Sequence, residues 1–140
     1  MNELIIDANI NNLDQVISFV NESLEASNIN MKVNNQINIA VEEIFVNIAY
    51  YAYNPEVGDV TIRIHVDDEV TIEFEDNGKP YNPLLRTDPD IRKTMEERDI
   101  GGLGIFMVKK VMDSVEYYNK DSKNVLIIKK LIDQWLSQQK

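Results

Sequence analysis

The chain lacks cysteine altogether and has a single histidine among its 140 residues. Without cysteine it can form neither disulfides nor thiolate metal sites, and we expect a cytoplasmic location. A lone histidine without neighbouring carboxylates or cysteines is seldom a ligand or a phosphoacceptor. His65 alternates onto the polar face of a predicted strand, so we interpret it as a surface residue. No long dimerising helix carries a histidine, which argues against a complete sensor histidine kinase.

Long apolar runs and excess positive charge are also missing. No apolar run approaches the ~20 residues that span a bilayer, and residues 1–10 lack the pattern of a secretory signal, so we expect no membrane segment. The formal net charge of -10 disfavours contact with nucleic acid or anionic membranes where no basic patch offsets it. The length of 140 residues, 44% of them hydrophobic and 27% charged, predicts one globular domain over 1–140.

The periodicity of apolar residues predicts the element order β-α-α-β-β-loop-α-β-β. Helices do not alternate one-for-one with strands, and the strands pair most simply as hairpins. We therefore predict an α+β two-layer α/β sandwich, with helices on one face of a mixed, mostly antiparallel sheet, and not a Rossmann sheet. The predicted strands are 3–7, 60–66, 70–74, 115–118 and 125–130. Three longer helices are predicted: 13–24, capped by Asn11 or Asn12; 32–53; and one that follows the glycines at 101–104. Two short helices are predicted within 91–98 and 131–138, and Trp135 of the last one is expected to pack against the body of the domain.

The first motif with chemical meaning is Glu43 and Asn47 in the second predicted helix. Side chains four residues apart lie on one helix face, about one turn from each other. A carboxylate can accept a proton, and an amide oxygen can ligate Mg²⁺ without adding charge beside a phosphate. Taken alone, the pair is more often an ordinary solvated pair of helix residues. Tyr50, Tyr51 and Tyr53 follow it, and we interpret them as packing residues, one of them near the ligand.

The second motif is Asp76-Asn77-Gly78, directly after an alternating strand. A carboxylate at a strand end can accept a hydrogen bond from an exocyclic amine, such as N6 of adenine. Gly78 would let the backbone approach the plane of the base. The alternative interpretation is an ordinary turn that ends the strand, since Asn-Gly is common there.

The third motif is Gly101-Gly102-Leu103-Gly104-Ile105, which leads into an apolar helix. Its backbone N–H groups and the helix dipole can attract an anion, which an acidic chain needs locally if its ligand is negatively charged. The motif is neither a Walker loop nor a Rossmann fingerprint, because no Gly-Lys-Ser/Thr follows and the spacing differs. The alternative is a flexible hinge without a ligand.

In this order the motifs resemble those of the GHKL ATP-binding superfamily, which includes gyrase and the histidine kinases. The resemblance covers about 32 to 130 and is closest to the single-domain anti-sigma-factor serine/threonine kinases of the Bacillus stress and sporulation type. It implies a Bergerat-type ATP-binding fold. It also implies Glu43 as the general base, Asn47 as the ligand of Mg²⁺, and Asp76 with Gly78 at the adenine. The other implied ATP-binding residues are Gly102, Leu103, Gly104 and Ile105, with 81–100 as a lid over ATP.

Two departures from the superfamily pattern stand out. Pro80 occupies a position where many members have a second glycine, which would stiffen the lid hinge. Many members also have a Gly-Thr pair before the last strand, where the threonine helps hold the adenine side. This chain has Ser122-Lys123-Asn124 at that place, and Ser122 or a water would take over the role of the threonine.

The resemblance implies a kinase with ATP and Mg²⁺ as cofactors. It would move the γ-phosphate to a serine or threonine of a STAS-type anti-sigma-factor antagonist, and in another state it would hold a sigma factor. The resemblance also implies a homodimer. Two alternatives stay open: a switch module that hydrolyses ATP weakly or only binds it, and an unrelated interaction domain whose glycine turn is a hinge.

Overall fold

Five strands and three helices make up the part of the chain that the computed structural model describes, residues 2–53, 58–85 and 102–132. The strands are β1 (Asn2–Asp7), β2 (Asp59–Val66), β3 (Glu69–Asp76), β4 (Ser114–Lys120) and β5 (Lys123–Leu131). The helices are α1 (Leu13–Glu25), α2 (Met31–Tyr51) and α3 (Gly102–Val111), with single 3-10 turns at Ile10–Asn12 and Pro83–Leu85. None of the described helices is long and apolar enough to cross a membrane.

The strands form one sheet in the order β1-β2-β3-β5-β4, and every neighbouring pair is antiparallel. The two predicted hairpins, β2–β3 and β4–β5, are confirmed. Because β5 lies between β3 and β4, the end of β3 meets the start of β5, with Asp76 opposite Asn124. This register brings together residues that are far apart in the sequence.

The core lies between one face of the sheet and the helices, as the two-layer prediction required. Alternate residues of β2 and β3 point into it and are almost fully buried, because a strand turns successive side chains to opposite faces. The largest buried side chains include Phe45, Phe74, Ile44, Ile62 and Ile72. Burial of these apolar surfaces fixes which face of each element meets the core.

The other face of the sheet carries charged residues. The Arg63 guanidinium lies 2.8 Å from Glu3 and 3.6 Å from both Glu73 and Glu75 across neighbouring strands. His65 is exposed and lies 3.4 Å from Asp67, so its interpretation as a surface residue is confirmed. These charged groups are partly exposed to water, so their ion pairs contribute little to stability.

The helix ends differ slightly from the predicted ones. The Asn30 side chain caps α2 by accepting a hydrogen bond of 2.9 Å from the Val33 N–H, and the helix begins at Met31. Asn12 is the N-cap residue of α1 but makes no side-chain cap, and Asn9 instead caps the preceding 3-10 turn. The glycine-rich segment also behaves differently, because α3 begins at Gly102 and its glycines lie inside the first turn.

Several predicted features lie outside the described residues. They are Gly101, the short helix within 91–98, and the part of the lid segment after residue 85. Trp135 and positions 133–138 of the last predicted helix also lie outside, while Leu131 ends β5.

The turn between β4 and β5 predicts a stabilising substitution. Asp121 and Ser122 have φ of 54° and 64°, the left-handed region that favours glycine. We expect Ser122→Gly to raise the free energy of unfolding by about 1 kcal/mol in urea denaturation, since the left-handed conformation costs an L-residue about that much. Lys120→Gly, in the adjoining strand, is the control and should destabilise the protein. No gain at Ser122 would contradict the turn conformation.

Candidate functional site

One cleft beside α2 brings together the three buried polar residues of the described chain. Asn47, Asp76 and Asn124 are each 6% exposed, and all three line a cleft that opens to solvent. Apolar and aromatic side chains complete its walls, among them Ile44, Phe74, Tyr51, Tyr81 and Tyr117. A mostly apolar cleft with a few convergent polar groups is the usual form of a small-molecule site.

Asp76 is held at the end of β3 by two hydrogen bonds to one carboxylate oxygen. The Gly78 N–H donates to Oδ1 over 2.8 Å, and Nδ2 of Asn124 donates to the same atom over 2.9 Å. Burial raises the pKa of Asp76, and these two hydrogen bonds counteract the rise because they favour the ionised form. No hydrogen bond from a described residue reaches Oδ2, which leaves that oxygen as an acceptor for a ligand.

Gly78 is required at its position by the helix behind it. A Cβ atom there would lie 2.3 Å from the carbonyl oxygen of Ala52, just past the end of α2. The Lys79 N–H donates to that same carbonyl over 2.9 Å, and the Asn77 N–H donates to the Tyr53 hydroxyl over 2.7 Å. The turn after Asp76 is therefore anchored on α2, and this close backbone approach is one that only glycine allows.

Asn47 presents an unsatisfied oxygen. Its Oδ1 is buried and has no hydrogen-bond partner among the residues that the structure describes. Leaving a buried acceptor unpaired costs about 1–3 kcal/mol, so such an atom in a cleft indicates a place for a donor or a cation. An amide oxygen is a suitable ligand for Mg²⁺.

Glu43 lies against the first turn of α3. A Cβ atom on Gly104 would be 2.3 Å from Oε2 of Glu43, so the carboxylate occupies the space that the missing side chain leaves. Burial raises the pKa of Glu43, and the neighbouring charge of Glu42 raises it further. The first and third sequence motifs are therefore in contact, although about 60 residues separate them in the chain.

The backbone of Gly102, Leu103 and Gly104 forms the start of α3. N–H groups in a first helical turn have no acceptor within the helix and carry the positive end of its dipole. The sequence predicted these glycines before the helix, and the structure places Gly102 and Gly104 within its first turn. Ile105, by contrast, is 2% exposed and packs in the interior.

One face of α2 connects the two ends of the site. Glu43, Asn47 and Tyr51 follow one another at intervals of one turn. At a rise of 1.5 Å per residue, Glu43 and Tyr51 are about 12 Å apart along the axis. The site is thus elongated, with the start of α3 at one end and Asp76 at the other.

Sequence reasoning missed Asn124 and the aromatic wall. Ser122, the substitute considered for the missing threonine, is exposed in the β4–β5 turn, whereas Asn124 contacts Asp76. The pairing register of β3 with β5 places Asn124 opposite Asp76, but the sequence of neither strand alone shows this register. Tyr51, one of the three tyrosines considered, stacks on Tyr81 with ring centroids 5.5 Å apart and an interplanar angle of 20°.

The two-layer fold brings all three motifs beside α2: Asn47 and Asp76 line the cleft, and Glu43 lies against Gly104 at the start of α3. The class of protein is an ATPase domain of the histidine-kinase type. A family model described as the histidine kinase-like ATPase domain matches residues 6–130, and the chain belongs to this family. Its predicted membership of the GHKL class is thereby confirmed.

Named relatives are serine-protein kinases called RsbW. That of Bacillus mycoides (strain KBAB4) is 31% identical over 96 residues, which are 65% of this chain and 60% of the relative. That of Listeria innocua serovar 6a is 28% identical over 99 residues, 66% of this chain and 63% of the relative. The alignments thus span about 60% of the length of the curated relatives.

Solved structures share the fold. The RsbU and RsbW domains of Rv1364c from Mycobacterium tuberculosis match 94% of this chain and 33% of that one, with a TM-score of 0.62 and 15% identity. The catalytic domain of histidine kinase ThkA matches 94% of this chain and 98% of that one, with a TM-score of 0.54 and 16% identity. At such low identity the likeness concerns the fold alone.

Glu43→Gln is expected to stabilise the protein near neutral pH. Because the pKa of Glu43 is raised above its ordinary value of 4.5, the folded state disfavours the ionised carboxylate. The contribution of Glu43 to the free energy of unfolding is therefore largest below the pKa that it has in the unfolded chain. This contribution is lost as the pH rises through the pKa of the folded state. In urea denaturation the advantage of Glu43→Gln over wild type should therefore grow from about pH 4 to pH 7.

The matched control is Glu22→Gln, which changes an exposed glutamate of α1. It should alter the unfolding free energy little at either pH. An advantage of Glu43→Gln that stays constant or shrinks as pH rises would contradict the disfavoured carboxylate.

Proposed function

We propose that this protein, as one domain, binds Mg-ATP in the cleft and transfers the γ-phosphoryl group to a serine or threonine of another protein. The observation that carries the proposal is the convergence of Asn47 and Asp76 in one cleft, with Glu43 against the start of α3. Membership of the histidine kinase-like ATPase family supports ATP as the nucleotide. The relatives named serine-protein kinases support hydroxyl phosphorylation.

The adenine end of the proposed site is at Asp76. Oδ2 accepts no hydrogen bond from a described residue, so it can accept one from the exocyclic amine of adenine. The flat base would lie among the apolar and aromatic walls, including Phe74 and Tyr51. Burial of a planar ring against such walls supplies affinity, and the single polar contact supplies orientation.

The phosphate end is at Asn47 and the start of α3. The orphaned Oδ1 of Asn47 fits a cation, and no cluster of three or more carboxylate, histidine or cysteine ligands exists among the described residues. Mg²⁺ held by one protein oxygen, waters and phosphate oxygens needs no such cluster. When bound, Mg²⁺ would neutralise phosphate charge, and the N–H groups of Gly102 and Gly104 would add to this in a chain of net charge -10.

Glu43 is the proposed general base. The substrate hydroxyl oxygen would bond to the γ-phosphorus, the bond from that phosphorus to the bridging oxygen would break, and ADP would leave. Glu43 would accept the hydroxyl proton. Its raised pKa makes the carboxylate a stronger base than an exposed glutamate. Catalysis of such a transfer is mostly positioning and charge stabilisation.

The partners are proposed on the resemblance of the motifs. We infer a STAS-type anti-sigma-factor antagonist as the phosphorylated protein, a sigma factor as the protein held in another state, a homodimer, and a cytoplasmic location. The segment 81–100 would close over the nucleotide, and Tyr81 stacked on Tyr51 lies where that segment begins.

Asp76→Asn tests the adenine site. The new amide oxygen can accept the same hydrogen bonds from Gly78 and Asn124, and the substitution removes a carboxylate whose charge burial disfavours. The fold should therefore be as stable as wild type at pH 7, or more so. An amide N–H would meet the adenine amine in place of Oδ2, so ATP affinity should fall at least about tenfold in calorimetry with Mg²⁺.

Glu75→Gln is the control for that measurement. Its side chain lies by Arg63 and Lys123 on the outer face of the sheet, and it should leave ATP affinity unchanged. If Asp76→Asn binds ATP as wild type does, the proposed adenine site is wrong.

Glu43→Ala tests the chemical step. With γ-labelled ATP and a candidate antagonist, wild type should transfer phosphate, and Glu43→Ala should bind ATP equally well. Its transfer rate should be about 10²–10⁴-fold lower, the usual contribution of a general base. Glu25→Ala, in the exposed part of α1, should behave as wild type. Intact transfer by Glu43→Ala would refute the base, and ATP hydrolysis without transfer by wild type would favour the switch module.

A further inference from the structure

Asn124 is the one buried polar residue of the cleft to which the proposed reaction gives no role. Like Asn47 and Asp76 it is 6% exposed, and it lies near the start of β5, opposite Asp76 in the sheet. Most buried amides are hydrogen-bonded, so the partners of Asn124 indicate what it holds in place.

Every hydrogen-bonding group of this amide is occupied. Nδ2 donates to Oδ1 of Asp76 and to the carbonyl oxygen of Lys79, each over 2.9 Å, with a longer contact of 3.4 Å to the carbonyl oxygen of Gly78. Oδ1 accepts from the Tyr117 hydroxyl and from Nδ2 of Asn119. The network fixes the orientation of the amide, because a reversed amide would place its oxygen against the Asp76 carboxylate and two carbonyl oxygens.

Two consequences follow for a bound base. Asn124 has no N–H group left to offer, since both are directed at the protein. Asp76 has Oδ1 occupied by two donors and only Oδ2 left. The polar contact of Asp76 with a base therefore depends on a single oxygen that can accept but, when ionised, cannot donate.

We propose that Asn124 is a positioning residue that makes Asp76 selective for 6-amino purines over 6-oxo purines. By holding Oδ1, it presents Oδ2 alone to position 6 of the ring, where an amine donates to it and a carbonyl oxygen is repelled. This inference rests on the proposed binding of ATP and goes beyond it, because the selectivity is assigned to a residue whose side-chain amide makes its hydrogen bonds within the protein.

Asn124 also stiffens the backbone around Asp76. Both backbone groups of Lys79 are hydrogen-bonded. Its N–H donates to the Ala52 carbonyl oxygen, and its own carbonyl oxygen accepts from Nδ2 of Asn124. Without the amide, Oδ1 of Asp76 keeps only the Gly78 N–H as a donor, and the turn loses its anchor on β5. Loss of the Asn124 donor also favours the protonated carboxyl group of Asp76 by raising its pKa, and a protonated carboxyl group can donate to a carbonyl oxygen, which reduces discrimination.

The test compares Asn124→Thr with Asn124→Val. The two side chains have nearly the same shape, and only threonine has a hydroxyl that can donate to Oδ1 of Asp76. The measurement is the affinity of each full-length variant for ATP and for inosine triphosphate, both with Mg²⁺. We expect Asn124→Thr to keep most of the wild-type ratio of the two affinities and Asn124→Val to lower it about tenfold, mainly through weaker ATP binding.

Asn38→Val is the matched control. Asn38 is a partly buried asparagine between α1 and α2 that donates to Asn21 and to the Asn34 carbonyl, away from the cleft. It should lower the unfolding temperature without changing the ratio. If Asn124 were merely structural, Asn124→Val would likewise lower the unfolding temperature and leave the ratio of the two affinities unchanged.

The outcomes separate this inference from the proposal beneath it. Wild type that binds neither nucleotide would refute the proposed function. Wild type that prefers ATP, with equal ratios in Asn124→Thr and Asn124→Val, would refute the role of Asn124 alone. If Asn124→Val does not fold, Tyr117→Phe replaces it, because it removes a donor that holds Oδ1 of Asn124. It should lower the ratio about threefold, and an unchanged ratio would overturn the inference.

Discussion

The buried carboxylate of Asp76 is the point on which the described site depends. Its hydrogen bonds tie the end of β3 to the turn at Gly78 and to Asn124 of β5, and the same turn is bonded to the end of α2. A carboxylate this buried is tolerable only with such donors around it, since burial itself disfavours the charge. The register of β3 with β5 and the close packing of α2 on the turn are therefore conditions for the cleft.

Electrostatics impose a second condition, because an acidic protein with a nucleotide ligand must offset repulsion locally. Two kinds of neutral group are proposed for this purpose: the oxygen of Asn47, which has no hydrogen-bond partner among the described residues, as a metal ligand, and the backbone N–H groups at the start of α3. Glu43, whose carboxylate lies against Gly104, has a pKa that is raised by burial and by the charge of Glu42. An unpaired oxygen and a desolvated carboxylate both cost stability, and such costs are common where a protein binds or reacts.

The fold could be predicted from the chain with good accuracy, for physical reasons that particular residues show. Alternation in β2 and β3 follows from the burial of one sheet face, and the 21-residue helix α2 shows the helical recurrence of its buried residues. The element ends were less accurate. The sequence does not show that Asn9 caps the first turn while Asn12 leaves α1 without a side-chain cap, because either asparagine can do so.

The sequence by itself determined the elements, the two hairpins and the residue types of the site, since periodicity and turn chemistry are local properties. It also identified Glu43, Asn47, Asp76 and Gly104 as candidates, because their spacing within each motif is local. Only the tertiary structure decided that Glu43 meets Gly104, that Asn124 and not Ser122 holds Asp76, and that Gly78 is needed beneath Ala52. These contacts depend on strand register and helix packing. The burial of apolar surface over the whole core determines both, so no short stretch of the chain encodes them.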